Sequence, residues 1–161
     1  PYAVIGDMDS IPDSLKEKYK DRLFIMDSQN ENDLRKAIKW AEDEEAEKAV
    51  ILGATGKREE HSLANIFTLL QFPTQMEMVI NTDFGKFSVV NGGKEFASFR
   101  GQPVSLFVND PEIEITSTHL KYSLNSLKLI NLYCGSLNES TSDIFTINLS
   151  HGQLLVFQSY A

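Results

Sequence analysis

The sequence holds a single cysteine, Cys134, so no disulfide can close within the chain. That excludes a small secreted domain stapled by disulfides and suits a reducing compartment. Long apolar runs are missing as well. None reaches the length of a membrane-spanning helix, and no secretory leader is recognisable. The expectation is a cytoplasmic protein without membrane contact. Positive charge is scarce: 15 Lys and Arg stand against 23 Asp and Glu, a formal net charge of −8. Such a surface repels nucleic-acid phosphates, so no nucleic-acid partner is expected. An acidic site still accepts a phosphate when a metal cation lies between them. An initiator Met is absent too. The chain opens on Pro1-Tyr2-Ala3-Val4-Ile5, already inside an apolar segment, and residues upstream of Pro1 are expected.

What is present divides into two patterns. With 161 residues, 42% of them hydrophobic, the chain suffices for one ordinary domain or two small ones. Residues 1 to 83 alternate apolar runs (Tyr2–Ile5, Leu23–Met26, Ala49–Leu52, Met76–Ile80) with helix-like stretches (Pro12–Tyr19, Asp33–Glu47, Glu60–Leu70). This rhythm predicts an α/β domain with a doubly wound, Rossmann-like sheet of parallel strands. Asn32 reads as a helix N-cap, with Asp33 in the first turn where a carboxylate suits the dipole. In the later helix Leu63, Ile66, Phe67 and Leu70 share one face, and His61, Asn65 and Thr68 the opposite one. Residues 84 to 161 lose the helical rhythm. Strand-like runs at Phe87–Val90, Val104–Val108, Ile113–Thr116, Leu127–Tyr133, Ile144–Leu149 and Leu154–Gln158 are separated by turn signals, among them Gly92-Gly93, Asn109-Asp110-Pro111 and His151-Gly152. This half predicts an all-β sandwich or barrel.

Three loops, each following a predicted strand, carry chemistry. In Gly6-Asp7-Met8-Asp9-Ser10 two carboxylates lie two residues apart. On an extended backbone they face the same way and suit a hard cation such as Mg²⁺; the same residues also suit a plain solvated turn. In Gln29-Asn30-Glu31-Asn32-Asp33, Asp33 stands at a helix start and serves either a ligand or simple capping. In Gly53-Ala54-Thr55-Gly56-Lys57-Arg58, glycines admit a phosphate close to the backbone and Arg58 can grip its oxygens. The spacing is not that of a P-loop, and a strand-to-helix loop uses glycines too. Arg58, His61, Asn65 and Thr68 form a polar helical stripe beside it, fit for a nucleotide or for solvent. In open α/β sheets ligands bind beyond the carboxyl ends of strands, which is where all three loops are expected. Carboxylates facing a polyphosphate repel it, and a divalent ion reverses the sign.

These segments, in this order, resemble the thiamine pyrophosphokinase family. The matching stretches are Ile5-Gly6-Asp7-Met8-Asp9-Ser10-Ile11, Gln29 with Asn32-Asp33-Leu34, and Leu52-Gly53-Ala54-Thr55-Gly56-Lys57-Arg58 running on to His61 and Asn65. Leu120-Lys121-Tyr122-Ser123-Leu124 and Gly135-Ser136-Leu137-Asn138-Glu139 follow. The resemblance implies a catalytic α/β domain followed by a β-sandwich, working as a homodimer with active sites at the subunit interface. It implies transfer of a diphosphate from ATP to the thiamine hydroxyl with Mg²⁺, leaving AMP. Asp7, Asp9 and Asp33 would hold Mg²⁺ and the ATP phosphates; Gln29, Thr55, Arg58, Glu60, His61 and Asn65 would contact ATP or its phosphates; Ser136 and Asn138 would contact thiamine. The family's first strand and an Asp-Gly-Gly loop would precede residue 1. Glu60 stands where Asp is usual, Asn32 where Thr is frequent, and Leu137 where Ser is usual. Two other readings fit parts of the pattern. Asp7-Met8-Asp9 also resembles the opening motif of haloacid dehalogenase-type phosphatases, with Asp7 as nucleophile. A non-catalytic relative that binds thiamine or nucleotide would share the same loops.

Overall fold

A computed structural model describes residues 1–26, 28, 30–71 and 75–161. The chain divides into two compact units, Pro1–Ala49 and Val50–Ala161.

In the first unit, two short strands, β1 (Val4–Gly6) and β2 (Leu23–Ile25), flank α1 (Asp13–Lys18) and are followed by α2 (Asp33–Asp43). β1 and β2 pair in parallel, Val4 opposite Leu23 and Gly6 opposite Ile25. Tyr2 and Phe24 meet Trp40 of α2, with ring centroids 5.9 and 5.4 Å apart. That contact fixes the helix against the strand pair. The Asn32 side chain accepts from the Arg35 N–H at 2.9 Å, so the expected cap forms. The helix ends earlier than its polar run suggests. Glu45 takes a φ of 57°, and the Ala46 N–H returns to the Ala41 carbonyl at 2.9 Å, a left-handed C-terminal closure.

Strand β3 (Lys48–Ile51) carries the chain across the boundary between units. The second unit then contains α3 (Glu59–Thr68), β4 (Glu77–Asn81), β5 (Gly85–Ala97), β6 (Pro103–Val108), β7 (Glu114–Thr118), β8 (Leu127–Lys128), β9 (Asn138–Glu139) and β10 (Ile144–Ser159). The sheet runs in the order β3-β4-β5-β10-β6-β9, with β7 pairing β10 and β8. It is mixed and not closed on itself. The expected doubly wound sheet of parallel strands is found only in part among the described residues. β1 and β2 make a parallel pair of their own, whereas β4 pairs antiparallel with β5. A tight turn dictates that antiparallel pairing. The Thr82 N–H and hydroxyl both bond the Gly85 carbonyl, at 2.8 and 2.9 Å, and fold β4 straight back into β5.

Two expected strands, Ile144–Leu149 and Leu154–Gln158, are one 16-residue strand. His151-Gly152 does not turn the chain around. It forms a bulge, where the β10–β5 register shifts between Asn148 and Gln153, and Gly92-Gly93 lies on the facing strand. On either side of the bulge β10 finds a different third partner, β7 at Thr146–Leu149 and β6 at Leu154–Gln158. The core collects along this bent pair. Phe145, Ile147, Leu154 and Val156 are fully buried together with Leu106, Ile113 and Ile115, and Phe96 stacks on Phe145 at 4.9 Å.

Candidate functional site

The loop after β1 is turned, not extended. Met8 has a φ of 66°, and the Asp7 carboxylate accepts the Asp9 N–H at 3.1 Å. The expected same-side arrangement of Asp7 and Asp9 on an extended backbone is thus replaced by an Asx turn, because Asp7 closes the loop on itself. Asp33 comes to this loop from the start of α2. A Cβ placed on Gly6 would lie 3.2 Å from Asp33 Oδ1 and 3.5 Å from its Cγ, so glycine is what lets the carboxylate sit against the backbone beside Asp7.

Beneath Asp33 lies a residue that the sequence reading passed over. Lys36 is 2% exposed, and its ammonium donates to Asp33 Oδ1 at 3.4 Å, while the Asp33 side chain itself is 68% exposed. A buried ammonium is costly unless paired, so the Asp33 carboxylate offsets part of the cost of burying Lys36. The Asp-x-x-Lys spacing, one helical turn, was the available signal.

In the second unit, Gly53 and Gly56 adopt φ of 71° and 97°, with open space where a Cβ would point. Asn65 donates to the Ala54 carbonyl at 2.9 Å and ties the Gly53–Gly56 loop to α3. Its amide is therefore a brace for the loop as well as a candidate ligand contact. Thr55 is half-buried and His61 exposed. Arg58 is the residue before α3, and its guanidinium Nε donates to Glu60 Oε1 at 2.5 Å, with Nη2 on the same oxygen. The Glu60 carboxyl is held below the usual carboxylate range, first by its own backbone N–H and then by Arg58. Gly56, Lys57, Arg58, Glu59, Ser62 and Leu63 line a hollow of about 490 Å³ at this helix start. The two faces expected of α3 do not sort as read. Leu63 is exposed, while Thr68 is buried and donates to the Ala64 carbonyl at 2.8 Å. A threonine hydroxyl bonded back to its own helix turn can be buried, which removes Thr68 from the polar stripe.

Farther along the chain, Asn138 in β9 is 7% exposed. Its Oδ1 accepts from the N–H groups of Tyr122 (3.0 Å) and Glu139 (2.8 Å), and its Nδ2 donates to the Tyr122 carbonyl at 2.8 Å. Asn138 thereby clamps the Lys121–Ser123 segment to β9. Ser136 donates to the Tyr133 carbonyl at 2.7 Å. Between them Leu137 is 81% exposed and holds a φ of 59°. Gln29 lies outside the described residues.

The donors Asp7, Asp9 and Asp33 are all carboxylates, the ligand chemistry of Mg²⁺. Asp33 seated against Gly6 brings one of them to the Asp7 loop. Among the described residues no group of three or more His, Cys, Asp or Glu side chains is already gathered as a metal site.

Residues 1–80 match the family model "Thiamin pyrophosphokinase, catalytic domain", and residues 85–157 match "Thiamin pyrophosphokinase, substrate-binding domain". Among curated proteins none matches the chain. Solved structures share the fold. Thiamine pyrophosphokinase from Bacillus subtilis is 24% identical, with a TM-score of 0.78 over 100% of this chain and 79% of that one. The Candida albicans enzyme is 16% identical, with a TM-score of 0.78 over 99% of this chain and 73% of its own. Yeast thiamin pyrophosphokinase is 13% identical, with a TM-score of 0.72 over 99% and 70%. Two domain models of one family, matched in order along nearly the whole chain, agree with the motifs and the fold: the chain belongs to the thiamin pyrophosphokinase family.

Proposed function

We propose that this member of the thiamin pyrophosphokinase family, an ATP-dependent kinase, moves the terminal diphosphate of ATP to the hydroxyl of thiamine, giving thiamine diphosphate and AMP. The thiamine oxygen bonds the β-phosphorus as the bond from that phosphorus to the AMP oxygen breaks. Asp33 takes the hydroxyl proton. Asp7, Asp9 and Asp33 would hold Mg²⁺, which supplies charge neutralisation on the phosphates when bound. Gln29, Thr55, Arg58, Glu60, His61 and Asn65 form the ATP set, Arg58 by its fork of donors. Ser136 and Asn138 serve the thiamine side, Asn138 by holding Tyr122 in place. Residues 1–83 act as a Rossmann-like catalytic domain and 84–161 as a β-sandwich for thiamine binding and dimerisation. A homodimer is supported by exposed apolar side chains between Tyr122 and Leu137: Tyr122, Leu127, Ile130, Leu132, Tyr133 and Leu137. A cytoplasmic location agrees with the free cysteine and with the lack, among the described residues, of a helix long and apolar enough to cross a membrane.

The observation that carries the assignment of the acidic loop is the seat of Asp33 against Gly6, which joins two of the three sequence motifs at one place. Neither the phosphatase reading nor the non-catalytic reading gains support from the family matches. The test is thiamine-dependent AMP release. Asp9→Ala should lower it by at least a hundredfold with an unchanged melting temperature. A rate near that of the unaltered chain removes Asp9 from the chemistry.

A further inference from the structure

Glu60 belongs to the ATP-contacting set by its place in the motif, yet a carboxylate and a phosphate repel each other. Its surroundings give it a different role. A helix start offers unpaired N–H groups to anions, and a guanidinium offers a fork of donors. At the start of α3 the guanidinium is already engaged by a carboxylate. Arg58 Nε and Nη2 both reach Glu60 Oε1, at 2.5 Å for Nε. The backbone N–H of Glu60 itself favours the same carboxylate. The pair is open to solvent, with the two side chains 66% and 62% exposed, so an incoming anion can reach it and exchange with it. Beside it lies the hollow of about 490 Å³ that Lys57 and Arg58 help to line.

We propose that Glu60 is a built-in competitor: its carboxylate holds Arg58 at the start of α3 in the ligand-free protein and yields it to a phosphate group of the nucleotide. Glu60 is then a positioning residue that sets how tightly polyphosphate binds. It holds the guanidinium in one place before binding, at the cost of some affinity. The proposal rests on the reading that Arg58 receives phosphate.

The experiment is calorimetric titration of the full chain with inorganic tripolyphosphate in metal-free buffer. An exposed ion pair of this kind corresponds to roughly 1.5- to 5-fold in affinity. E60Q should therefore tighten tripolyphosphate binding by about two- to fivefold, and E60A should move it the same way. E59Q removes the same charge from the same helical turn without breaking the Arg58 pair, and should change affinity by less than half as much. In steady-state assays E60Q should lower the KM for ATP more than it alters kcat. Equal tightening in E59Q and E60Q means a general charge effect and overturns the proposal. So does unchanged or weaker binding in E60Q, or an absence of binding in both E60Q and the unaltered chain. R58A separates the two levels. Its binding should be lost, and if it binds as tightly as the unaltered chain, the reading of Arg58 as a phosphate contact fails first.

Discussion

Single residues carry the clearest physical asymmetries. Lys36 is buried, and the carboxylate it donates to, Asp33, is mostly exposed. Removing Asp33 leaves the ammonium buried without that partner, whereas removing the ammonium leaves only a solvated carboxylate. Asp33→Ala should therefore lower stability by about 2 kcal/mol, while Lys36→Met should be neutral or stabilising. Urea denaturation of both variants checks this, and equal losses would mean that the pair is not organised as described. Asp110 shows the pH side of the same logic. Its carboxyl is held below the usual range first by the Glu112 N–H, at 2.9 Å, and also by His151. A carboxyl with a depressed folded pKa adds stability above its unfolded value, about 4, and that stability is lost as pH falls through the lower folded value. Melting temperatures from pH 6 to pH 3 should drop less steeply for Asp110→Asn than for the unaltered chain. Asn138 marks the limit of reading residue types from a motif. Its sequence position suggested a ligand contact, and only its three hydrogen bonds to the Tyr122 and Glu139 backbones show a clamp.

Elements were read best where one neighbour decides their pattern. The alternation of Phe145, Ile147 and Leu149 with Thr146 and Asn148 foretold a half-buried strand, and Phe145 and Ile147 are fully buried in it. The cap at Asn32 formed for the same local reason. Where a distant partner decides, the reading erred. His151-Gly152 has turn chemistry, yet β5 pairs with β10 on both sides of it and converts the turn into a bulge. The run Leu127–Tyr133, read as strand, is strand only at Leu127–Lys128, and its end enters the short helical turn Leu132–Gly135. Packing explains why a glycine is needed there. A Cβ on Gly135 would lie 2.2 Å from the Leu106 carbonyl oxygen and 2.7 Å from Leu129 Cδ1. Gly135→Ala must therefore push this turn away from β6. The expected loss is about 3 kcal/mol, seen as a lower denaturation midpoint with a similar slope.

At the scale of the molecule the two units differ in how they are held. The first has two strands of three residues each, and few of its apolar side chains are fully shielded, Met8 and Ile38 among them. The second has a continuous buried cluster spread along β5, β6, β7 and β10. Local opening follows buried apolar contact, so amides of β1 and β2 should exchange with solvent well before those of β5 and β10. Hydrogen-exchange mass spectrometry on the intact chain tests this, and equal protection would show that the units open together.

Composition, strand-helix rhythm and the ordered motifs were enough to predict an α/β half before a β half, and to name the family, because those features depend on residues close together in the chain. Tertiary structure alone decided that β4 pairs antiparallel with β5, that Asp33 rests on Gly6 with Lys36 buried beneath it, and that Asn138 faces backbone. The i,i+3 spacing of Asp33 and Lys36 is local, but the burial of Lys36 and the other contacts depend on how separate elements pack, and local sequence pattern carries no term for that.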